Sequence, residues 1–326
     1  MTSVHPYGYT DTLDAEHYAT ALRADIHRGL TSTPKSTAPT WFYDARGSEL
    51  FEEITQLPEY PLWRAELGLL RSHAQDVAAR TGARAMVELG SGSSTKSKLI
   101  IEALGPTGLN YVPVDVSADA LHQASAQLVR DYPGIRLHAL RADFTTPLVL
   151  PSLPEDGPRL IAFLGSTLGN FRRPARGPFL RGLRDIMRPQ DFLLLGADLV
   201  KSEHEMTAAY DDAQGVTAEF DKNLLHVLNR ELDADFDPDA FDHVAVWNSA
   251  ESLIEMRLRS RVEQLVKVRG LDLAVPFGRG EEWITERSAK FTVDGLRGEL
   301  ADAGLSTDQL WADPDAGFTL TLATAG

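Results

Sequence analysis

The middle of the chain repeats one pattern, in which a short apolar run is followed by a turn and then by a stretch with apolar residues at helical spacing. The runs cover residues 85–89, 110–115, 136–140, 160–164 and 191–196. Apolar strands separated by helices are typical of a parallel sheet with helices on both faces. The sequence therefore predicts a doubly wound, Rossmann-like α/β domain.

The segments that follow space their apolar residues differently. Ser202 and Glu205 match a helix-capping box, and helical spacing continues to Leu232. From His243 onward apolar and polar residues alternate, as they do in half-buried antiparallel strands. We therefore expect an insertion made of helices and antiparallel strands.

The end of the chain is expected to rejoin the sheet. Thr292 is placed to cap a helix that Gly304 stops, and residues 318–322 alternate as a last strand. A chain of 326 residues is long for one compact domain. The expected division is a sheet domain of residues 61–200 and 290–326, with a second, substrate-binding lobe of residues 1–60 and 201–289.

Composition excludes several classes of protein. The chain has 47 acidic residues against 32 basic ones, and its basic stretches near Arg172 and Arg257 are short, so we expect no nucleic-acid partner. Residues 1–6 show no secretory signal and no apolar run is long enough for a bilayer, which predicts a cytoplasmic protein without a membrane partner. We expect it to be a monomer.

The residue types also argue against a metal or thiol site. The chain contains no cysteine, which excludes disulfides and thiolate ligands. Its nine histidines include no pair at close ligand spacing, and His122 and His138 belong to different elements. We therefore expect no bound metal.

A glycine-rich turn, residues 88–94 (ELGSGSS), lies where the first strand leads into the first helix. Gly90, Ser91 and Gly92 are candidates for close backbone approach to a ligand. Both dinucleotides and S-adenosylmethionine bind at such a turn. The alternative is a simple tight loop that binds no ligand. Thr95 replaces the third glycine of the dinucleotide pattern, which favours S-adenosylmethionine.

Acidic residues end the next two strands. Asp115 follows Gly90 by 25 positions, where an acid binds a ribose diol in both fold families. Asp143 precedes Phe144, and an acid followed by an aromatic is the usual methyltransferase arrangement for adenine. Lys96, one turn into the first helix, is placed to reach the donor's carboxylate. A strand-ending Asp is often only a helix cap, but the ordered set favours a methyltransferase.

Several further motifs are unusual combinations of residues, and they are 41–44 (WFYD), 51–55 (FEEIT), 58–61 (PEYP), 165–171 (GSTLGNF), Tyr210 and the pair Glu286-x-Ser288. With the glycine turn, they make the sequence resemble the histidine-specific N-methyltransferases of ergothioneine biosynthesis over nearly its whole length. The resemblance implies a class I methyltransferase that trimethylates the α-amino group of L-histidine to hercynine, an early step of ergothioneine biosynthesis. It also implies that the donor is bound by Gly90, Ser91, Gly92, Lys96, Asp115, Asp143 and Phe144.

The resemblance assigns the amino-acid backbone of the substrate to Tyr60, Asn170 and Tyr210. Tyr43 is placed beside the reacting nitrogen, and Asn170 is counted with it as catalytic. These neutral donors orient an amine without opposing a cationic donor or a quaternary ammonium product. Tyrosine rings also suit a methylated cation, and the reaction needs no nucleophile from the protein.

The resemblance assigns the imidazole of the substrate to Glu286 and Ser288, which together read both ring nitrogens. Composition alone predicts that residues 279–288 form a charged, solvated loop. Met256 alternates with apolar neighbours and is interpreted as core or pocket wall, counted here with the substrate-binding residues.

Two alternatives remain at this point. One is methylation of another small amino acid or amine by the same scaffold, and the other is a regulator that binds S-adenosylmethionine without catalysis. A substrate-type lobe carrying Tyr210, Glu286 and Ser288 argues against the regulator. Binding of L-histidine in the presence of the demethylated cofactor tests the choice between them.

Overall fold

A computed structural model describes residues 6–13, 15–153 and 157–326. Residues 1–5, which belong to the stretch predicted to lack a secretory signal, lie outside these ranges. The helices are α1 (Ala15–Thr31), α2 (Ala45–Gln56), α3 (Leu62–Thr81), α4 (Ser97–Leu104), α5 (Ala118–Asp131), α6 (Arg173–Ile186), α7 (Glu203–Tyr210), α8 (Val216–Leu232) and α9 (Val293–Asp302). Within the described ranges no helix combines the length and the apolar character needed to cross a membrane.

The strands are interleaved with these helices along the chain. They are β1 (Gly8–Asp11), β2 (Lys35–Ser36), β3 (Ala85–Leu89), β4 (Asn110–Asp115), β5 (Arg136–Arg141), β6 (Arg159–Phe163), β7 (Phe192–Asp198), β8 (Phe241–Asn248), β9 (Leu253–Ser260), β10 (Gln264–Val268), β11 (Leu273–Phe277), β12 (Glu282–Ala289), β13 (Leu305–Asp313) and β14 (Phe318–Ala325).

The first of two compact units comprises Met1–Leu13, Leu62–Val200 and Phe291–Gly326. Its eight-stranded sheet has the order β1-β5-β4-β3-β6-β7-β14-β13. The first six strands in this order are parallel, whereas β14 and β13 are antiparallel to their neighbours. All five predicted apolar runs form strands of this sheet, and β14 returns to it as predicted.

Helices cover both faces of this sheet. Leu195 of β7 packs in one core with Leu180 of α6 and Leu296 of α9. The next residue, Gly196, faces Glu66 of α3 instead. Because successive side chains of a strand point to opposite faces, α3 lies on one side of the sheet and α6 and α9 lie on the other. The doubly wound α/β fold is confirmed.

Two strands of the first unit differ from the sequence expectation. Residues 8–11, expected in the second lobe, form β1 and pair in parallel with residues 138–141 of β5, which satisfies their backbone groups within the large sheet. Strand β13 is not predicted at all. It lies at the opposite edge of the sheet and carries many polar residues, so its apolar pattern is weak.

The second unit comprises Asp14–Pro61 and Lys201–Lys290. It contains a four-stranded sheet of order β2-β12-β9-β8 and a separate hairpin of β10 and β11. The capping box of Ser202 and Glu205 is present at the start of α7, as predicted. The prediction from composition that residues 279–288 form a solvated loop is wrong. Most of this segment belongs to β12, which pairs with β2 on one side and with β9 on the other.

Candidate active site

Three of the predicted donor-binding positions lie at the carboxyl ends of neighbouring parallel strands in the first unit. Gly90 follows β3, Asp115 ends β4, and Asp143 lies just after β5. Because these strands are parallel neighbours, their carboxyl ends share one edge of the sheet, where ligands bind in open α/β folds. The structure therefore brings this part of the predicted set together.

The glycine turn leaves backbone open beside an aromatic ring. Gly90 has a φ of +70° and Gly92 a φ of +48°, in the left-handed region that favours glycine. A Cβ atom added at Gly90 would lie 3.6 Å from the Phe144 ring. The hydroxyl of Ser91 is buried and has no hydrogen-bond partner among the described residues. An unsatisfied hydroxyl, open backbone and a ring together suit the adenosyl part of the donor.

The two strand-ending acids are fixed by local hydrogen bonds. Each carboxylate oxygen of Asp115 accepts one backbone N–H, from Gly92 and from Ser117, both at 3.0 Å. Burial nevertheless raises the pKa of Asp115 above its ordinary value. Asp143 accepts the backbone N–H of Thr145 at 2.8 Å and the hydroxyl of the same residue at 2.6 Å. Both carboxylates are thus oriented by the protein itself.

Lys96 has a partner that the sequence does not suggest. Its ammonium donates to Glu66 of α3, which is fully buried and also accepts the N–H of Gly165 at 2.9 Å. The contact of Lys96 with the donor's carboxylate stays a prediction. Sequence analysis misses Glu66, although its helical spacing from Leu62 and Leu70 places it on a buried face.

Asn170 also belongs to the first unit. It ends a short 3-10 helix, Thr167–Asn170, that follows the turn after β6. In this turn Ser166 has a φ of +57°, which is rare for a residue with a side chain. The buried hydroxyl of Ser166 accepts the backbone N–H of Asp198 at 2.9 Å and so holds the turn. Asn170 is half-buried, and its contact with substrate stays a prediction.

The second unit contains a pocket of about 290 Å³, a volume that includes space open to solvent. Aromatic side chains dominate its wall. The residues predicted for the substrate that line the pocket are Tyr43, Tyr60, Tyr210, Met256 and Glu286. The other lining residues, which sequence analysis does not single out, are Phe51, Ile54, Ala209, Thr217 and Phe220.

Helix capping and ring packing position the aromatic wall. Asp44 caps α2 by accepting the Gly47 N–H at 2.8 Å, which places the preceding residue, Tyr43, at the start of that helix. The ring of Tyr43 meets those of Phe51 and Phe220 edge to face, at centroid distances of 5.7 and 5.6 Å. Such packing fixes the position of the ring.

A β-bulge directs Glu286 into the pocket. The register between β9 and β12 shifts between Ile284 and Glu286, so that Glu286 lies opposite Met256. A bulge re-aims the side chains that follow it. Glu286 is only 8 % exposed. Burial and the charge of Asp221 raise its pKa to about 7, although the Lys290 ammonium opposes this shift.

Ser288 does not line the pocket, in contrast to the other five substrate residues predicted in this unit. Its hydroxyl accepts a hydrogen bond from the Tyr210 hydroxyl at 3.0 Å. Lys290 donates to both hydroxyls, at 2.7 Å to Tyr210 and 3.1 Å to Ser288. A direct contact of Ser288 with imidazole stays a prediction. Lys290 is missed by sequence analysis, although it follows Glu286 and Ser288 at strand spacing.

The chemistry available at these sites involves no metal-ligand cluster. Within residues 6–13, 15–153 and 157–326, no group of three or more His, Asp or Glu side chains is placed to hold a metal ion. The first unit offers an open glycine turn, two oriented acids and a ring at the edge of a parallel sheet. This arrangement is that of a class I methyltransferase that uses S-adenosylmethionine.

Comparison with known proteins specifies the family. Residues 22–325 match the model of a family described as histidine-specific, S-adenosylmethionine-dependent methyltransferases, and the chain belongs to this family. It is 49 % identical over 313 residues to a histidine N-alpha-methyltransferase of Mycolicibacterium smegmatis, covering 95 % of this chain and 97 % of that protein. An enzyme of the same description from Mycobacterium tuberculosis is 49 % identical over 312 residues, or 95 % and 96 % of the two chains.

A fungal relative shares part of its length with the chain. The ergothioneine biosynthesis protein 1 of Neurospora crassa is 35 % identical over 201 residues, which cover 60 % of this chain and 23 % of that protein. Family membership establishes that the chain is an S-adenosylmethionine-dependent methyltransferase specific for histidine.

Proposed function

We propose that the chain transfers three methyl groups to the α-amino nitrogen of L-histidine and so forms hercynine, an early step of ergothioneine biosynthesis. The names of the relatives support the choice of nitrogen and the pathway. The observation that carries the proposal is the pocket of the second unit. Of its lining residues, all within the described part of the chain, Glu286 alone bears a formal charge, and five others are aromatic.

The pocket suits a substrate whose charge changes during the reaction. Its aromatic residues are Tyr43, Phe51, Tyr60, Tyr210 and Phe220. Their ring faces attract a methylated ammonium. A fully methylated ammonium has no N–H left to donate to a hydrogen-bond acceptor. Glu286, in contrast, offers an acceptor for an imidazole N–H. The proposal therefore assigns the amine end of histidine to the rings and the imidazole to Glu286.

The two compact units have separate proposed roles. We assign the donor to the first unit, through Gly90, Ser91, Gly92, Asp115, Asp143 and Phe144, with Lys96 as a further prediction for the donor. Asn170, in the same unit, stays predicted for the amino-acid backbone of the substrate. Histidine is assigned to the second unit. When bound, the donor supplies a sulfonium methyl group to an uncharged amine. The tyrosine hydroxyls orient that amine, and the pocket wall shields it from water.

We expect the reaction to continue to the trimethylated product. The pocket rings tolerate each added methyl group, and every product before the last still has a nitrogen that loses a proton and reacts again. Incubation of the enzyme with L-histidine and excess donor, followed by mass spectrometry, measures the product spectrum. Accumulation of a monomethyl product after long incubation would contradict the proposal, and methylation on a ring nitrogen would contradict the assigned acceptor.

Replacement of Asp115 by alanine is expected to weaken donor binding by about 1.5–3 kcal/mol, the range for a hydrogen bond to a charged group. The carboxylate is oriented at the sheet edge by Gly92 and Ser117. Calorimetric titration with S-adenosylhomocysteine measures the effect. Asp131→Ala, which removes an exposed acid of the same unit, is the control. Unchanged affinity in a folded Asp115→Ala protein would remove this residue from the donor site.

A further inference from the structure

Lys290 is a buried cation beside the histidine pocket. The side chain is 3 % exposed, which is unusual for lysine. Its ammonium donates to the Tyr210 hydroxyl at 2.7 Å and to the Ser288 hydroxyl at 3.1 Å, and it lies 4.6 Å from the centroid of the Tyr210 ring. Lys290 thus contacts Tyr210, which lines the pocket, and Ser288, which does not.

Opposite charges in the same unit compensate this cation. Glu286 of β12 lies four positions before Lys290, which directly follows the last residue of that strand. The ammonium of Lys290 and the imidazole of His243 both lower the pKa of Glu286, whereas Asp221 raises it. A buried charge is tolerated when such partners are present.

The other end of Tyr210 is held by a second cation. The two ring nitrogens of His243 each lie 2.7 Å from an oxygen, one of the Asp221 carboxylate and one of the Tyr210 carbonyl. A carbonyl and an ionised carboxylate only accept, so both nitrogens carry a proton and the imidazole is charged. Burial lowers the pKa of His243, but the hydrogen bond and charge of Asp221 outweigh this and raise it.

We propose that Lys290 is a positioning residue of the histidine site, which fixes the hydroxyls of Tyr210 and Ser288 while His243 fixes the Tyr210 carbonyl. This inference rests on the proposed function, in which Tyr210 orients the amino acid. Tyr210 is the last residue of α7, and its buried side chain reaches Ser288 and Lys290. His243 restrains it from β8, and Lys290 restrains it from the position that directly follows β12.

The test is the affinity for L-histidine of Lys290→Met, measured by calorimetry in the presence of S-adenosylhomocysteine. We expect a loss of about 10- to 100-fold, the range that corresponds to a charge-assisted hydrogen bond. The affinity for S-adenosylhomocysteine itself should not change. Lys35→Met is the matched control, because it removes a lysine of the same unit that pairs with Glu281, and it should keep wild-type histidine affinity.

A double-mutant cycle separates positioning from a general effect of charge. Tyr210→Phe removes the hydroxyl that Lys290 contacts, so Lys290→Met should cost much less in that background than in the wild type. Equal losses in both backgrounds would show that Lys290 acts through the charge of Glu286, and would overturn the inference. If Lys290→Met does not fold, Lys290→Gln replaces it, and a smaller loss of histidine affinity is expected because one donor group remains.

The outcomes distinguish this inference from the proposed function. If the wild-type protein binds histidine and the folded Lys290 variants bind it equally well, the inference is wrong and the proposed function stands. If the wild-type protein binds S-adenosylhomocysteine but not histidine, the proposed function fails and the inference fails with it.

Discussion

Replacing Glu286 with alanine is expected to lower the catalytic efficiency for histidine by about 100-fold, mainly through a higher KM. The lost acceptor leaves an imidazole N–H of the bound substrate unpaired in the pocket, which costs about 1–3 kcal/mol and more where a charge is involved. Methyl transfer itself should survive, because Tyr60 and Tyr210 still line the pocket. Steady-state kinetics with histidine as the varied substrate measures the change.

The same substitution should alter selectivity. Removal of the carboxylate enlarges the pocket and removes its charge, so the larger, less polar phenylalanine and tryptophan should become relatively better substrates. Glu286→Gln is the control, because it keeps an acceptor of similar size and should retain more of the preference for histidine. If the ratio of efficiencies for histidine and the other two amino acids is the same before and after the change to alanine, Glu286 does not read the side chain.

The raised pKa of Glu286 also predicts a pH dependence of histidine binding. Its carboxyl has a pKa of about 7, so it is ionised above this pH and takes up a proton as the pH falls below it. The ionised form is the stronger acceptor for an imidazole N–H. Histidine affinity should therefore fall from pH 8 to pH 6, and part of this fall should disappear in Glu286→Gln, which lacks the titrating carboxyl.

The five parallel strands β3 to β7 were the most predictable part of the fold. Their residues are apolar on both faces, as Met86 and Val87 of β3 show, so each strand stands out from the helices around it. The glycine turn and the acids that follow are tied to the ends of these strands. Their shared edge could be predicted because parallel neighbours end on the same side.

Partners that come from distant segments could not be predicted. Lys96 and Glu66 are 30 positions apart, and Lys290 and Tyr210 are 80 apart, so no local pattern links them. Strand β12 shows the same limit. Its charged residues suggest solvent, but pairing with β2 and β9 buries Glu286, and the bulge at Glu286 depends on a register that only the folded sheet defines.

The buried pair of Lys96 and Glu66 leads to the largest expected effect on stability. The Glu66 side chain is 1 % exposed and that of Lys96 is 18 % exposed. Removing one partner of a buried pair costs about 3–5 kcal/mol, because the other charge is left without compensation. Lys96→Met should therefore lower the free energy of unfolding by about 3 kcal/mol, the lower end of this range, since Lys96 is partly exposed. Chemical denaturation measures this loss.

The double variant Glu66→Gln with Lys96→Met separates this structural role from donor binding. A neutral amide at position 66 is still able to accept the Gly165 N–H, so we expect stability to recover most of what Lys96→Met loses. If Lys96 also binds the donor's carboxylate, affinity for S-adenosylhomocysteine should stay low in the double variant despite this recovery. If affinity recovers together with stability, Lys96 acts only through Glu66 and the predicted contact with the donor is wrong. Stability and S-adenosylhomocysteine affinity, measured in the single and the double variant, thus decide whether Lys96 binds the donor or acts only through Glu66.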